Sequence, residues 1–94
     1  MKFIRLHCIN RRGDGSYYLS DIRVNPSHIA VMTENIEFSS DLKEGKMNLN
    51  LHKAAEFTDI MFTAKMSGKK ITVVGSLTNI EEKINSSKRN LLRD

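Results

Sequence analysis

The sequence predicts a small α+β domain, in which a meander of about four or five antiparallel strands carries one C-terminal helix. Three observations support this prediction. Short runs of alternating apolar residues are separated by Gly, Asn, Ser and Pro. Residues 71–84 change from β-branched residues to apolar residues at helical spacing. The chain has 94 residues and no internal repeat, so we expect a single domain over residues 1–94.

The first predicted strand covers residues 2–9. Ile4, Leu6 and Cys8 fall on one face of this strand, because side chains alternate between the two faces of a sheet. The Asp14-Gly15 step that follows is typical of a tight turn, since glycine accepts a positive φ without steric cost. We therefore expect the chain to reverse there and to return as a second strand.

The second predicted strand covers residues 17–24, and the polar pair Ser20-Asp21 predicts a kink or bulge within it. Pro26 then fixes its own φ and lacks a backbone donor, so the chain turns or enters a single helical turn. Residues 29–33 form the next apolar run. The short connections predict that these three strands lie side by side in chain order.

Residues 34–59 are predicted to form an inserted loop or arm. A structureless loop of this length is unusual in a compact domain, so we expect some regular structure within it. Met47, Leu49 and Leu51 alternate with polar residues, which predicts a short edge strand, although residues 52–57 also suit a helical turn. Such a strand would cross to a partner chain or fold back to complete the domain's own core.

The last part of the chain predicts a hairpin followed by a helix. Strands are expected at residues 60–66 and 71–74, with a turn between them. Thr78 is a natural N-cap residue, and Glu81, three residues later, completes a capping box. The spacing of apolar residues predicts one core cluster between the sheet and this helix, which comprises Ile4, Leu6, Ile29, Phe62, Ile71, Val73, Ile80 and Ile84.

The order of these elements resembles the small proteins grouped with the flagellar and swarming-motility protein FlbD and their bacterial and phage relatives. The resemblance covers roughly two-thirds of the chain and rests on Ile4, Leu6, Val24, Asn25, Ile29, Ile60, Phe62, Gly68, Lys69, Val74, Ser76, Ile80 and Ile84. The chain departs from the pattern at Gly75, where the family-like pattern has an acidic residue, and in the insertion over residues 34–59. The resemblance implies the fold, and it implies no particular biochemical activity.

The sequence contains no catalytic, cofactor-binding or metal-binding motif. Cys8 is the only cysteine, so the chain can form neither an internal disulfide nor a cysteine-based metal cluster. The three histidines lack the spacing of metal ligands, and no nucleophile elbow, P-loop or dinucleotide-binding pattern occurs. We therefore expect a protein that is not an enzyme and that uses no cofactor or metal.

The expected compartment is the cytoplasm. The N-terminal residues alternate between polar and apolar types, which is unlike a signal peptide. No apolar run approaches the roughly 20 residues that a membrane-spanning helix needs. We therefore expect no membrane partner.

The chain carries a net charge of +4, and its basic surplus is concentrated in the tail over residues 86–94. Basic side chains bind phosphates and release counterions, so a turn and a tail rich in them are candidate nucleic-acid contacts. These candidates are Arg11, Arg12, Lys88, Arg89 and Arg93. Apolar residues outside the predicted core are instead candidate contacts in a protein interface. They are Met47, Leu49, Leu51, Leu91 and Leu92.

The function that these patterns favour is a small binding or assembly module. We expect it to form a homo-oligomer, with a dimer preferred, because a short chain has a modest core and exposed sheet edges pair readily. Its partner would be a protein or a small molecule. Two alternatives stay open: a nucleic-acid-binding accessory protein that uses the basic turn and tail, and a phage-encoded inhibitor or sponge of a host defence component.

Overall fold

The computed structural model describes residues 3–47 and 49–93, with side chains as far as residue 86. This part of the chain forms a mixed α+β fold with a five-stranded antiparallel sheet. The strands are β1 (Ile4–Arg11), β2 (Tyr17–Val24), β3 (Ile29–Glu34), β4 (Phe57–Phe62) and β5 (Lys70–Val74), and the helices are α1 (Ile36–Lys43) and α2 (Leu77–Arg93). Single 3-10 turns at Pro26–His28 and Ala64–Met66 precede β3 and follow β4. The α+β prediction is confirmed, whereas α1 adds a helix that was not predicted.

The strand order is β2-β1-β5-β4-β3, so the predicted side-by-side arrangement of the first three strands is wrong. β3 pairs with β4 at the far edge of the sheet, and β5 lies in the centre between β1 and β4. The physical reason lies in the apolar character of β5. Val73 is fully buried, and its neighbours Ile71 and Val74 pack on opposite faces of the sheet, so a central position shields both faces.

The hairpin of β1 and β2 is regular along its whole length. Its register runs without a shift from Ile4 opposite Val24 to Arg11 opposite Tyr17. The predicted kink at Ser20-Asp21 is therefore wrong, and the irregularity in the sheet lies instead in β3, between Ile29 and Val31. The predicted turn between the two strands is confirmed, with Gly15 at φ +90°.

The insertion over residues 34–59 folds back onto the sheet instead of projecting as an arm. Asn35 begins α1, because its side-chain oxygen accepts a hydrogen bond from the Phe38 backbone N–H at 2.9 Å. The described residues around Met47, Leu49 and Leu51 form no strand, so that prediction is wrong. Met47 is buried and the two leucines are half-buried against the sheet, because their apolar side chains cover a face that would otherwise meet water.

The two faces of the sheet carry separate cores. The core beneath α2 includes all eight predicted residues, so that prediction is confirmed, and it also contains Cys8, Val24 and Ile60. The second core lies beneath α1 and was not predicted as a cluster. It is built around Ile9, Leu42, Met47 and Phe57, with Tyr17, Leu19, Phe38, Leu49, Leu51, Ala55 and Val74 packed against them.

The N-cap of α2 lies two residues earlier than predicted. Ser76, and not Thr78, caps the helix, because the Ser76 hydroxyl accepts a hydrogen bond from the Asn79 N–H at 3.1 Å. The predicted capping box between Thr78 and Glu81 is therefore wrong. Gly75 precedes the cap at φ +129°, where a Cβ atom would lie 3.1 Å from Ile80 Cδ1, so this position requires glycine. None of the described helices is long and apolar enough to cross a bilayer.

Candidate ligand groove

A groove of about 860 Å³ opens where β1 and β5 separate. The two strands are neighbours in the sheet, but their register contains only the pair of Cys8 and Val73. Beyond this pair, the end of β1 and the start of β5 both line the groove, over residues 8–11 and 69–72. β5 pairs with β4 over its whole length, from Lys70 to Val74. Because β5 is held by β4, it can separate from β1 and leave the groove between them.

The lining of the groove is mainly apolar. Two of its apolar side chains are largely exposed, since Phe3 and Met66 keep 60% and 46% of their surface in contact with solvent. The others belong to the two cores and are buried or half-buried: Cys8, Ile9, Ile22, Val24, Phe38, Phe62 and Ile71. Phe3 and Met66 consequently form exposed apolar lips above a packed apolar floor.

Polar side chains in the lining are largely engaged with one another or with neighbouring strands. Asn10 donates from Nδ2 to the Ser20 hydroxyl at 2.6 Å, across the β1–β2 pair. The Thr72 hydroxyl donates to Asp59 Oδ1, also at 2.6 Å. Asn25 accepts from the Ser27 N–H at 3.1 Å and caps the turn that carries His28. These groups support the walls of the groove, whereas the floor presents apolar side chains.

Every charged side chain that lines the groove, within the described residues, is cationic. These side chains are Arg11, Arg23, Lys69 and Lys70. Arg23 lies 3.4 Å from Asp21, which pairs more closely with Arg5 at 2.9 Å. Lys70 lies 3.5 Å from Asp59. Each of these two cations therefore has a carboxylate nearby, although Arg23 shares its carboxylate with Arg5. Arg11 and Lys69 have no carboxylate within 4.0 Å among the described residues, and the Arg11 guanidinium lies 6.0 Å from the Tyr17 ring centroid.

Cys8 lines the groove, but its thiol is not set up as a nucleophile. Burial raises the pKa of the Cys8 thiol, and this effect exceeds the opposing influence of the Thr72 backbone N–H and of the Lys69 charge. The thiol also lies 3.6 Å from the Ile9 carbonyl oxygen. Among the described residues, no three His, Cys, Asp or Glu side chains group as metal ligands.

Asp59 ties the wall of the groove to the start of α1. Its carboxylate accepts from Thr72 and, at 3.0 Å, from the Asn35 side chain that caps α1. Burial opposes the charge of this carboxylate, but the hydrogen bonds and the charge of Lys70 outweigh burial and lower the pKa of Asp59 below its ordinary 3.8. Asp59 thus links β4, β5 and α1 while it is ionised.

Acidification is expected to remove the stabilisation that Asp59 provides. A lowered pKa in the folded state stabilises the fold above pH 3.8, and this contribution is lost as the pH falls through the folded-state value. Asp59→Asn should therefore cost about 1–3 kcal/mol at pH 7 and should flatten the acid side of the stability curve. Urea unfolding from pH 7 to pH 3 measures both effects. Equal pH slopes for Asp59→Asn and the unmodified protein would contradict this assignment.

The structure places the predicted site residues in different surroundings. Arg11 lines the groove, whereas Arg12 lies outside it and stacks its guanidinium 4.7 Å from the Tyr18 ring centroid. Met47, Leu49 and Leu51 belong to the second core, which is the outcome expected if the insertion completes the domain itself. The side chains of the five tail candidates lie outside the described residues: Lys88, Arg89, Leu91, Leu92 and Arg93.

The sequence patterns did not identify most residues of the groove. Phe3, Met66 and Lys69 belong to segments about sixty residues apart, and the sequence pattern contains no indication that they face one cavity. Knowledge of the strand order would have been needed, because the groove arises from the neighbouring positions of β1 and β5. Comparisons of the chain with protein-family models, with curated proteins and with solved structures find no match. The resemblance to the FlbD-like proteins therefore stays a prediction.

Proposed function

We propose that this chain is a non-catalytic binding module whose groove holds a small ligand with an apolar body. The observation that carries this proposal is the mainly apolar groove of about 860 Å³. Small-molecule sites in proteins are typically about 300–1,000 Å³ in volume and are lined by apolar side chains with a few polar groups. The proposal needs no reacting group, which agrees with the raised pKa of the Cys8 thiol.

The exposed lips of the groove support the same proposal. Phe3 and Met66 lie at the groove and expose large apolar side chains to water. A ligand that covers these side chains would gain about 25 cal/mol for each Å² of apolar surface that it removes from water. An inhibitor or sponge would also act by sequestering such a ligand. We still expect the protein to act in the cytoplasm.

A neutral fluorescent probe, N-phenyl-1-naphthylamine, tests the groove directly. The double substitution Phe3→Ser and Met66→Gln removes both lips and should weaken probe binding by about tenfold, which corresponds to roughly 1.4 kcal/mol. The chain offers a control in Ile36→Ser. Ile36 is exposed to a similar extent, at 68%, but it lies on α1 and does not line the groove. Equal probe affinity in the double variant and in this control would overturn the proposal.

We also propose that the chain forms a homodimer through β3. β3 is an edge strand, and Val31 and Met61 add exposed apolar surface beside that edge. Unpaired edge strands favour pairing with a second copy. Light scattering at micromolar concentration tests this idea: the unmodified protein should have a dimeric mass, and the Val31→Ser, Met61→Gln variant a monomeric mass. A monomer at every concentration would sink the proposal.

A second candidate function is the binding of single-stranded nucleic acid at the first turn. The observation that favours it is the stacking of Arg12 on Tyr18, next to Arg11, because aromatic and basic side chains together bind bases and phosphates. Fluorescence anisotropy with a labelled oligonucleotide at two salt concentrations tests it. Truncation after Ser86 separates the tail from the turn: affinity that survives the truncation but is lost in Arg12→Gln would assign binding to the turn.

A further inference from the structure

The charges of the groove define the chemistry of its ligand more closely than its volume does. Among the residues that the structure describes, four cationic side chains and no carboxylate line the groove. A cationic ligand would meet repulsion there, and a neutral ligand would make no use of these charges. An anionic group would gain charge-assisted hydrogen bonds, which are stronger than those between neutral groups.

Two of the four cations are the available partners for an anion. Arg23 and Lys70 already lie beside Asp21 and Asp59, as described above. Lys69 is exposed, and its charge acts on the Cys8 thiol at the floor of the groove. Arg11 is exposed on the end of β1, beside Tyr17. These two side chains, which pair with no carboxylate in the described part of the chain, therefore present positive charge next to an apolar floor.

We propose that the groove binds a free acyl-chain anion, with its hydrocarbon chain on the apolar floor and its carboxylate held by Lys69 and Arg11. This inference rests on the proposed function, because it names the ligand of the same groove. An ammonium and a guanidinium both donate to a carboxylate, and the guanidinium can do so through two parallel hydrogen bonds.

The floor favours a hydrocarbon chain over a nucleotide. Stacking of a base needs an exposed aromatic face, and among the described residues of the groove only Phe3 at the lip offers one. On the floor, the Phe38 ring already packs edge-on against Tyr17 and Phe57, at centroid distances of 5.8 and 6.0 Å. Phe62 is likewise half-buried in the core beneath α2. A flexible alkyl chain needs only apolar contact, which the apolar side chains of the floor provide.

Competition against the bound neutral probe tests the class of ligand. Three competitors with the same chain length differ in charge: dodecanoate, dodecanol and dodecyltrimethylammonium. The two ions are used below their micellar concentrations and the alcohol below its solubility limit. Dodecanoate should displace the probe at about one-tenth of the concentration that dodecanol needs, and the cation should be the weakest. Equal displacement by dodecanoate and dodecanol would overturn the inference.

Charge-matched variants assign the anion to its proposed partners. Arg11→Gln with Lys69→Gln should remove the tenfold preference for dodecanoate and leave dodecanol displacement unchanged. The control is Lys53→Gln with Lys65→Gln, which removes the same charge from exposed residues that do not line the groove. This control should keep the preference. Loss of the preference in both double variants would overturn the assignment, because it would show an effect of net charge alone.

The outcomes separate this inference from the proposed function. Failure of the neutral probe to bind would contradict the proposed function, whereas probe binding without a preference for the anion would contradict only the acyl-anion inference. Co-sedimentation with phosphatidylglycerol vesicles distinguishes the source of the ligand. Binding to these vesicles without displacement of the probe by dodecanoate would overturn the free acyl anion in favour of a lipid surface.

Discussion

Phe57→Ala is expected to lower the free energy of unfolding by about 3–5 kcal/mol, because it empties the centre of the second core. The Phe57 side chain is fully buried, and its ring packs edge-on against Phe38 of α1. The backbone of this residue also connects two elements, since its carbonyl accepts from the Asn35 N–H at 2.9 Å. Truncation to alanine leaves a cavity that the surrounding strands can fill only in part. Urea unfolding followed by circular dichroism measures the loss.

Phe3→Ala is the matched control for Phe57→Ala. It removes the same aromatic ring from a position that is 60% exposed, so the free energy of unfolding should change by less than about 0.5 kcal/mol. A loss below about 1 kcal/mol for Phe57→Ala would contradict the second core as described. Such a result would mean that α1 and the segment around Met47 do not close over the sheet.

The sequence was most informative where local periodicity and burial coincide. All eight predicted core residues lie in the core beneath α2, because alternation in strands and fourth-residue spacing in a helix depend only on nearby residues. Ile4 and Leu6 on β1 and Ile80 and Ile84 on α2 are examples. The strand order could not be predicted in the same way, since the position of β5 between β1 and β4 depends on contacts between distant parts of the chain.

The missed helix shows a different limit. Asn35 is a strong N-cap residue, and Phe38 and Leu42 stand four positions apart, as on one helical face. α1 is short, however, and its sequence also contains Ser39 and Ser40, which favour turns over helix interiors. The local preference was therefore weak, and packing of Leu42 against the second core supplies the stabilisation that selects the helix.

The groove was predictable only in part for a related reason. Arg11 was identified as a candidate binding residue from its charge, and it lines the groove. Lys69 stands in the predicted hairpin turn, but its charge is informative only beside the apolar floor that Ile22 and Phe62 provide from other strands. A site that depends on the separation of two strands has no sequence motif. Its residues come together only in the fold, and they do not recur at a fixed spacing along the chain.

Ile80→Ala is expected to cost about 2–5 kcal/mol and to release the first turns of α2 from the sheet. The Ile80 side chain is 1% exposed and packs in the core with Leu6, Ile60 and Val73. It also lies against Gly75, so truncation removes the contact that joins the end of β5 to the helix. Lys83, one turn later, donates to the Arg5 carbonyl at 3.2 Å, but an exposed hydrogen bond contributes too little to hold the helix alone.

Helical ellipticity and urea unfolding together measure the effect of Ile80→Ala, and two further variants act as its controls. Thr78→Ala changes an exposed residue of the same helix and should leave stability within about 0.5 kcal/mol. Ser76→Ala removes the hydroxyl that caps α2 and should cost about 1 kcal/mol. The expected order of destabilisation is thus Ile80, then Ser76, then Thr78. A larger loss of stability for Thr78→Ala than for Ser76→Ala would support the cap predicted from the sequence. A loss below about 1 kcal/mol for Ile80→Ala would show that Ile80 does not anchor α2.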